Sequence, residues 1–345
     1  MINVGTIGTS WITEQFIKGS QLTNLYKIKG IYSRSAYRAK DIATIYKADY
    51  YTDQLNNILF DPEIDLIYIA SPNKLHFEQA MQAIKAGKHV LIEKPMFSNV
   101  DEWRQAHDEA KRMNVFIFEG ALHIHTRNYR RMKQLIQNKI KESEQPFLGA
   151  NFNFGQYSSK YVQYRDAMAN SQIAPNVFNP DYSGGALMDL GVYPVYVVLD
   201  LFGLPQSVRY NAQKGENGID LFGTILFTYD KHQVTIFISK AVHSKLPSEI
   251  YIDDETIVVH DISRISKVEL INNEGQKADV IDYKPENYMY DELLNFAEVI
   301  NDSDSIHQKV RYEDWKQLSL QVAQTMDLLR RSANISFETE EDYRR

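Results

Sequence analysis

The chain has 345 residues, 43% of them hydrophobic, and its 38 Lys and Arg against 45 Asp and Glu leave a formal net charge of −7. That length exceeds one typical domain and fits two, with apolar material for a core in each. No block of Lys or Arg stands out, which argues against nucleic acid and anionic membranes as partners, and the absence of cysteine excludes disulfides, thiolate nucleophiles and Cys-based metal sites.

The start of the chain lacks the basic and apolar regions of a signal peptide, and no apolar run approaches the ~20 residues that span a bilayer. The expectation is a cytoplasmic protein with no membrane partner. Ile2 to Ile7 reads as a strand, followed by helical spacing from Trp11 to Ile17 that Lys18-Gly19 closes. Tyr26 to Ser33 is a second strand and Ala36 to Tyr46 a second helix, then a short strand near Tyr50 and a short helix from Gln54 to Phe60. Ile64 to Ala70 is a buried-type strand, Leu75 to Ala86 a helix stopped at Gly87, and His89 to Ile92 a further strand. Ser98 with Asp101 opens a helix that runs to Met113, a capping-box pattern, and Val115 to Phe118 closes the series. Regular alternation of apolar strands and helices predicts a doubly wound parallel sheet.

Past His123 the pattern changes. Helices are expected at 130–140 and 186–202, then alternating strands at 224–229, 234–239, 249–252, 256–260 and 267–272. These predict a mostly antiparallel sheet in an α+β domain, completed by helices at 290–300 and 315–329 and a charged, frayed tail from Glu338 to Arg345.

Five stretches carry candidate chemistry. Gly8-Thr9-Ser10-Trp11-Ile12-Thr13 stands where G-x-G-x-x-G would open a dinucleotide-binding helix, with only the first glycine present. Taken alone it is a phosphate loop or a plain strand-to-helix turn. After the second strand, Ser33-Arg34-Ser35 and Arg38 occupy the place of the acid that usually holds NAD ribose hydroxyls, and a guanidinium there suits a 2′-phosphate. Ser71-Pro72-Asn73 and His76 follow the strongest strand, where open α/β sheets bind ligands; a helix cap and a structural histidine are the alternatives. Glu93-Lys94-Pro95 puts a lysine at the carboxyl edge of the sheet, and singly it reads as a surface residue. In Gly184-Gly185-Ala186-Leu187-Met188-Asp189-Leu190-Gly191-Val192-Tyr193-Pro194, a helix would put Asp189 and Tyr193 on one face.

Together these resemble the Gfo/Idh/MocA oxidoreductases, in their order loop, Ser-Arg, Pro-Asn-x-x-His, Ala-Gly-Lys-His-Val-Leu-x-Glu-Lys-Pro and Gly-Gly-x-Leu-x-Asp-x-Gly-x-Tyr. The likeness runs from about Ile2 to Phe337. It implies a Rossmann domain over 1–122 and an α+β substrate and dimerisation domain over 123–345. The open sheet of the latter would make a homodimer or a dimer of dimers. In that context the first loop is a working nucleotide loop. Gly8, Thr9, Ser10, Trp11, Ile12, Ser33, Arg34, Arg38, Ser71, Pro72, Asn73, His76, Glu93 and Lys94 would contact the cofactor, NADP(H) in preference to NAD(H). Lys94 would be the catalytic lysine, Tyr193 the acid/base and Asp189 its orienting group, with no metal.

A tyrosine at 193 resembles the dihydrodiol and glucose-fructose branches more than the inositol dehydrogenases. The run Gly120 to Arg127 lacks the Arg-Pro pair that many members carry after the position of Glu119, and His123 and His125 are the residues there that would line the substrate side instead. The implied reaction is hydride transfer to or from a small sugar, polyol or related hydroxy/keto compound. A non-catalytic sensor on the same fold is the competing reading, against which Lys94 and Tyr193 are retained. NAD-dependent glycoside cleavage would call for an acidic ribose contact, and none is found.

Overall fold

The computed structural model describes residues 1–142 and 147–337, so the tail expected to fray lies outside the described residues. The chain divides into two compact units: Met1–Leu122 with Pro285–Gln317, and His123–Lys284 with the residues from Leu318 on. Thus residues 285–317 return to the first unit, which a division of the sequence at a single point does not contain.

The first unit holds six parallel strands, β1 (Ile2–Ile7), β2 (Tyr26–Tyr32), β3 (Tyr50–Thr52), β4 (Leu66–Ile69), β5 (His89–Glu93) and β6 (Ile117–Gly120), in the order β3-β2-β1-β4-β5-β6. Every residue of β4 is buried, which is why it reads as an unbroken apolar run. Strand order reverses between β1 and β4, the crevice where doubly wound sheets take their ligands.

Two helix boundaries differ from expectation. Gly19 does not end the first helix, which runs Trp11–Thr23 and closes on the left-handed Asn24. It is there because helix Tyr290–Asn301 and its lead-in pack close: a Cβ on Gly19 would lie 3.0 Å from Asn287 Oδ1 and 3.1 Å from Leu293. Helix Val100–Met113 is capped by Asn99, whose side chain accepts from the Glu102 amide, while Glu102 accepts from the Ser98 amide at 2.9 Å. The box is therefore Asn99–Glu102 rather than Ser98–Asp101, one residue later. The returning segment is tied down by Tyr26, which donates to the Leu293 carbonyl at 2.6 Å, and by Phe296 stacked on Phe118 at 4.5 Å.

The second unit holds eight strands, β7 (Phe147–Gly155), β8 (Ser207–Lys214), β9 (Asp220–Thr228), β10 (Gln233–Ser239), β11 (Ser248–Ile252), β12 (Glu255–His260), β13 (Lys267–Ile271) and β14 (Lys277–Ile281). Their order is β14-β13-β12-β11-β7-β10-β9-β8, antiparallel except for the central pair β7 and β10. Ile225, Phe227, Val234, Ile236, Ile238, Ile250 and Ile257 point to one face and are completely buried, while Leu226, Phe237, Tyr251 and Val258 alternate onto the other and are half-buried.

One stretch does reach membrane-spanning length and hydropathy, contrary to the sequence reading: Pro180–Phe202, 23 residues, of which 78% of the apolar window is buried inside the protein. Val195, Val197 and Val198 are fully enclosed, so its apolarity is that of a core helix.

Candidate active site

The first unit gathers four of the five stretches at the carboxyl ends of β1, β2, β4 and β5, which are neighbours in the sheet. Gly8 ends β1 with φ +117°, and a Cβ there would sit 2.7 Å from the Ala70 carbonyl oxygen. Only glycine meets both demands. Ser10 is the N-cap of helix Trp11–Thr23, yet its hydroxyl makes no cap hydrogen bond. An open helix N-terminus beside a glycine turn, with a spare hydroxyl, fits the pyrophosphate of a dinucleotide. Trp11 is 62% exposed at the first helical position, and Thr9 and Ile12 are half-buried beside it.

At the end of β2, Ser33 accepts from the Ser35 amide at 3.2 Å and Ser35 from the Arg38 amide at 3.4 Å, a turn that leaves Arg34 and Arg38 exposed. Neither guanidinium enters an ion pair or a hydrogen bond among the described residues. Both can therefore take an anionic group without first losing a carboxylate.

Beyond β4, Ser71 donates to Gln79 at 2.7 Å, Pro72 precedes a short turn Asn73–Leu75, and His76 begins the next helix. His76 is 1% exposed; its Nε2 lies 2.8 Å from the Ser71 carbonyl and its Nδ1 3.1 Å from that of Pro95 and 3.2 Å from that of Met96. Burial pulls its pKa down against the raising effect of those carbonyls. It ties the Ser71 turn to the Lys94–Pro95 turn, whose peptide bond is cis, and any effect on a cofactor would pass through those loops. Lys88, in the same motif, donates at 2.7 Å to the carbonyls of Asp61 and Ile64 and is structural.

Glu93 is also enclosed. It is 8% exposed, accepts from Tyr68 at 2.7 Å, and is pushed up to about 6, chiefly by burial. The Lys94 charge acts against that rise, and two further carboxyls lie near: Glu119, which accepts from the Met96 amide at 3.0 Å, and Glu292, fully buried on the returning helix. Neither Glu292 oxygen has a hydrogen-bond partner among the described residues, and burial, then Glu93, then Glu119, hold its pKa well above the usual range.

The fifth stretch lies in the second unit. Leu187–Gly191 is a single π-helical turn that runs directly into helix Val192–Phe202, so Asp189 sits on the π turn and Tyr193 in the first α turn. Such turns carry an extra residue and recur at functional sites. Pro194 is the third residue of that helix and, lacking an amide, leaves a gap in the hydrogen-bond ladder just past the junction with the π turn. The Gly-Gly entry has a reason. Gly185 has φ +108°, and a Cβ there would fall 2.0 Å from Asp220 Oδ1. Asp220 is 1% exposed and accepts from the Leu187 amide at 2.7 Å and from the Tyr210 hydroxyl at 2.9 Å, capping the π turn from β9.

Asp189 is ion-paired to Lys240, and Tyr193 packs edge-on against Phe154 at 5.5 Å and His123 at 5.0 Å. His123 donates through Nε2 to the Tyr193 carbonyl at 3.0 Å. The two histidines expected on the substrate side are both enclosed. His123 is 1% and His125 3% exposed; the first braces Tyr193 from behind. Lys240, Asp220 and Glu292 were absent from the sequence reading. A lone charge after a strand or on a helix carries no motif; only the flanking apolar runs hint at burial.

Residues 2–121 match the model of the oxidoreductase family with an NAD-binding Rossmann fold, and residues 153–259 that of the GFO/IDH/MocA C-terminal domain. The chain is 32% identical over 341 residues to the Bacillus subtilis scyllo-inositol 2-dehydrogenase (NADP(+)) IolU, covering 99% of this chain and 100% of the relative. A Xenopus laevis trans-1,2-dihydrobenzene-1,2-diol dehydrogenase is 25% identical over 65% of this chain and 63% of its own. Tyr193 alone therefore does not place the chain nearer the dihydrodiol branch. Among solved structures, levoglucosan dehydrogenase with NADH and levoglucosan superposes with TM-score 0.80 at 18% identity, over 96% of this chain and 97% of that one. The 3-ketoreductase KijD10 of Actinomadura kijaniata with NADP and TDP-benzene does so with the same score, identity and coverage.

Proposed function

The chain belongs to the GFO/IDH/MocA oxidoreductase family, and on that premise we propose an NADP(H)-preferring dehydrogenase or reductase of a sugar or polyol, with Lys94 and Tyr193 as its catalytic pair. The observation that carries the cofactor preference is the end of β2, where two exposed, unpaired guanidiniums replace an acid. The B. subtilis relative, named for NADP(+) and scyllo-inositol, supports both halves of the reading.

Gly8, Thr9, Ser10, Trp11 and Ile12 would hold the pyrophosphate side, Ser33, Arg34 and Arg38 the 2′-phosphate, and Ser71, Pro72, Asn73 and the Glu93-Lys94 turn the nicotinamide side. When bound, the nicotinamide supplies or accepts the hydride. The Lys94 ammonium stabilises negative charge on the substrate oxygen, and the Tyr193 hydroxyl gives or takes the proton there. Asp189 orients the turn from which Tyr193 projects.

Substrates are tested by following nicotinamide absorbance with NADP+ and NAD+ against scyllo-inositol, myo-inositol, D-xylose and levoglucosan. Lys94→Ala and Tyr193→Phe should each cut turnover ~10²–10⁴-fold with NADPH binding retained. Wild-type turnover in either variant refutes the pair. Arg34→Asp should weaken NADPH binding more than tenfold, since a charged hydrogen bond is worth about 1.5–3 kcal/mol, and unchanged affinity refutes the preference. The half-buried Leu226, Phe237, Tyr251 and Val258 face is proposed as a homodimer surface. Sedimentation showing only monomer at micromolar concentration would sink that part.

A further inference from the structure

We propose that Lys240 is a positioning residue for the reaction: its buried ammonium holds the Asp189 carboxylate ionised and in place, and so fixes the turn that presents Tyr193. The inference rests on the assignment of Asp189 and Tyr193 to the active site.

Lys240 follows β10 directly, and its backbone is clamped from two sides. Its amide donates to the Leu221 carbonyl at 2.8 Å, and its carbonyl accepts from the Ser158 amide at 2.9 Å. The stem therefore enters the protein from a fixed point. The side chain is only 2% exposed, and its ammonium pairs with Asp189, whose side chain is 35% exposed. The Phe178 ring lies below the ammonium at 5.0 Å and is itself fully buried. Asp220 lies in the same neighbourhood: burial pushes its carboxyl up, and its hydrogen bonds to the Leu187 amide and the Tyr210 hydroxyl, with the Lys240 ammonium, act against that.

This is a costly way to fill a core. Removing an ammonium from water costs several kcal/mol, and an apolar side chain of similar volume is often neutral or better for stability. What an apolar residue would not supply is a fixed cation on Asp189. The carboxylate stands on a single π turn, a feature that recurs at functional sites, and it is partly open to solvent. Contacts that hold the turn include Asp220 at its first amide, Lys240 at its carboxylate, and His123 at the Tyr193 carbonyl. The first and third are main-chain contacts. Lys240 acts on charge. With it removed, Asp189 would lose this counter-ion and take up a proton at a higher pH.

The test compares Lys240→Met, Lys240→Arg and Asp189→Asn in the full chain. The Asp189 carboxyl is followed by 13C NMR of aspartate-labelled protein, assigned by its loss in Asp189→Asn. Its midpoint should rise by at least one pH unit in Lys240→Met and stay near the native value in Lys240→Arg. With scyllo-inositol and NADP+ as the probe, Lys240→Met should lower kcat about 10–100-fold, typical of an outer-layer partner, with KM little changed. The acid limb of its kcat/KM profile should move up with the NMR midpoint, and Lys240→Arg should restore the limb. A native midpoint and limb in folded Lys240→Met overturn the proposal. Should that variant not fold, Asp189→Asn reads the pair from the other side: an acid limb that survives unshifted overturns it. Tyr193→Phe is run alongside. If it keeps wild-type turnover, the site assignment itself has failed and the proposal falls with it. If it is inactive while Lys240→Met is native, only the role of Lys240 is refuted.

Discussion

Replacing Glu292 by glutamine tests a buried carboxyl on the returning helix of the first unit. The residue is completely buried and neither oxygen finds a partner among the described residues. Burial, Glu93 and Glu119 all raise its pKa, so in the fold the carboxyl carries a proton that the unfolded chain releases above ~4.3. The sign follows from linkage. An acid with a raised folded pKa contributes fully below its unfolded value and loses that contribution as pH rises, at about 1.4 kcal/mol per pH unit. As pH rises above ~4.3 the wild type should lose stability through this one group, at up to that slope. Glutamine keeps the shape and cannot ionise. The Glu292→Gln minus wild-type difference in melting temperature should therefore climb with pH above that value, at up to about 3–6 °C per pH unit, from about 1.4 kcal/mol per unit at 2–4 °C per kcal/mol. Thermal melts in matched buffers from pH 4.5 to 7.5 measure it. Taking the difference cancels the buried histidines, whose own slopes have the opposite sign. A flat difference, or a variant that becomes relatively weaker as pH rises, refutes the reasoning.

His107 gives the opposite slope. It is stacked on Trp103 at 3.5 Å and pulled down to about 3, mainly by burial, so its contribution is complete above ~6.5 and lost as pH falls, about 2.7 kcal/mol by pH 4.5; His107→Phe should flatten that acid-side loss in the same melts. Gly185→Ala must displace Asp220 and accept a positive φ worth about 1–3 kcal/mol in strain; the melting temperature should fall and turnover with it, and native-like behaviour of the Gly185→Ala variant would contradict the cap described for the π turn. Gly8→Ala meets a backbone oxygen that cannot swing aside, so NADPH affinity should drop in a fluorescence titration, whereas native binding would show the turn to be more pliant than the 2.7 Å approach allows.

The parallel sheet was legible because burial on both faces leaves a continuous apolar run, as in β4 and β5. The second sheet was legible only in part. β9 and β10 alternate cleanly, and their boundaries fall within a few residues of expectation. β7, β8 and β14 escaped. β8 and β14 are edge strands whose side chains are largely exposed, so SVRYNAQK and KADVI show no apolar stripe to read. β7 is central but has a glycine at φ +148° as its third residue and carries two asparagines, residues that speak for turns. Its partner β10 is parallel to it and some eighty residues away, a pairing that no local pattern announces.

The candidate site divides along the same physical line. Loops at strand ends were readable because their chemistry is local: a glycine that a turn requires, a helix start with an idle hydroxyl, arginines where an acid would stand. Gly185 shows where local reading stops. Its pairing with Leu187-Asp189 was visible as a motif, but the reason for the glycine is Asp220, in another strand, whose carboxylate occupies the space a Cβ would take. Asp220 by itself, in Gly218-Ile219-Asp220-Leu221, reads as an ordinary strand edge. The two residues explain each other only in three dimensions. The same holds for Lys240 with Asp189 and for Glu292 with Glu93. In each case a charged residue without a motif is buried against one that has a motif, and its energetic cost is borne at the turn from which a candidate catalytic side chain projects. Substitutions at these silent partners should therefore disturb pH dependence before they disturb cofactor affinity.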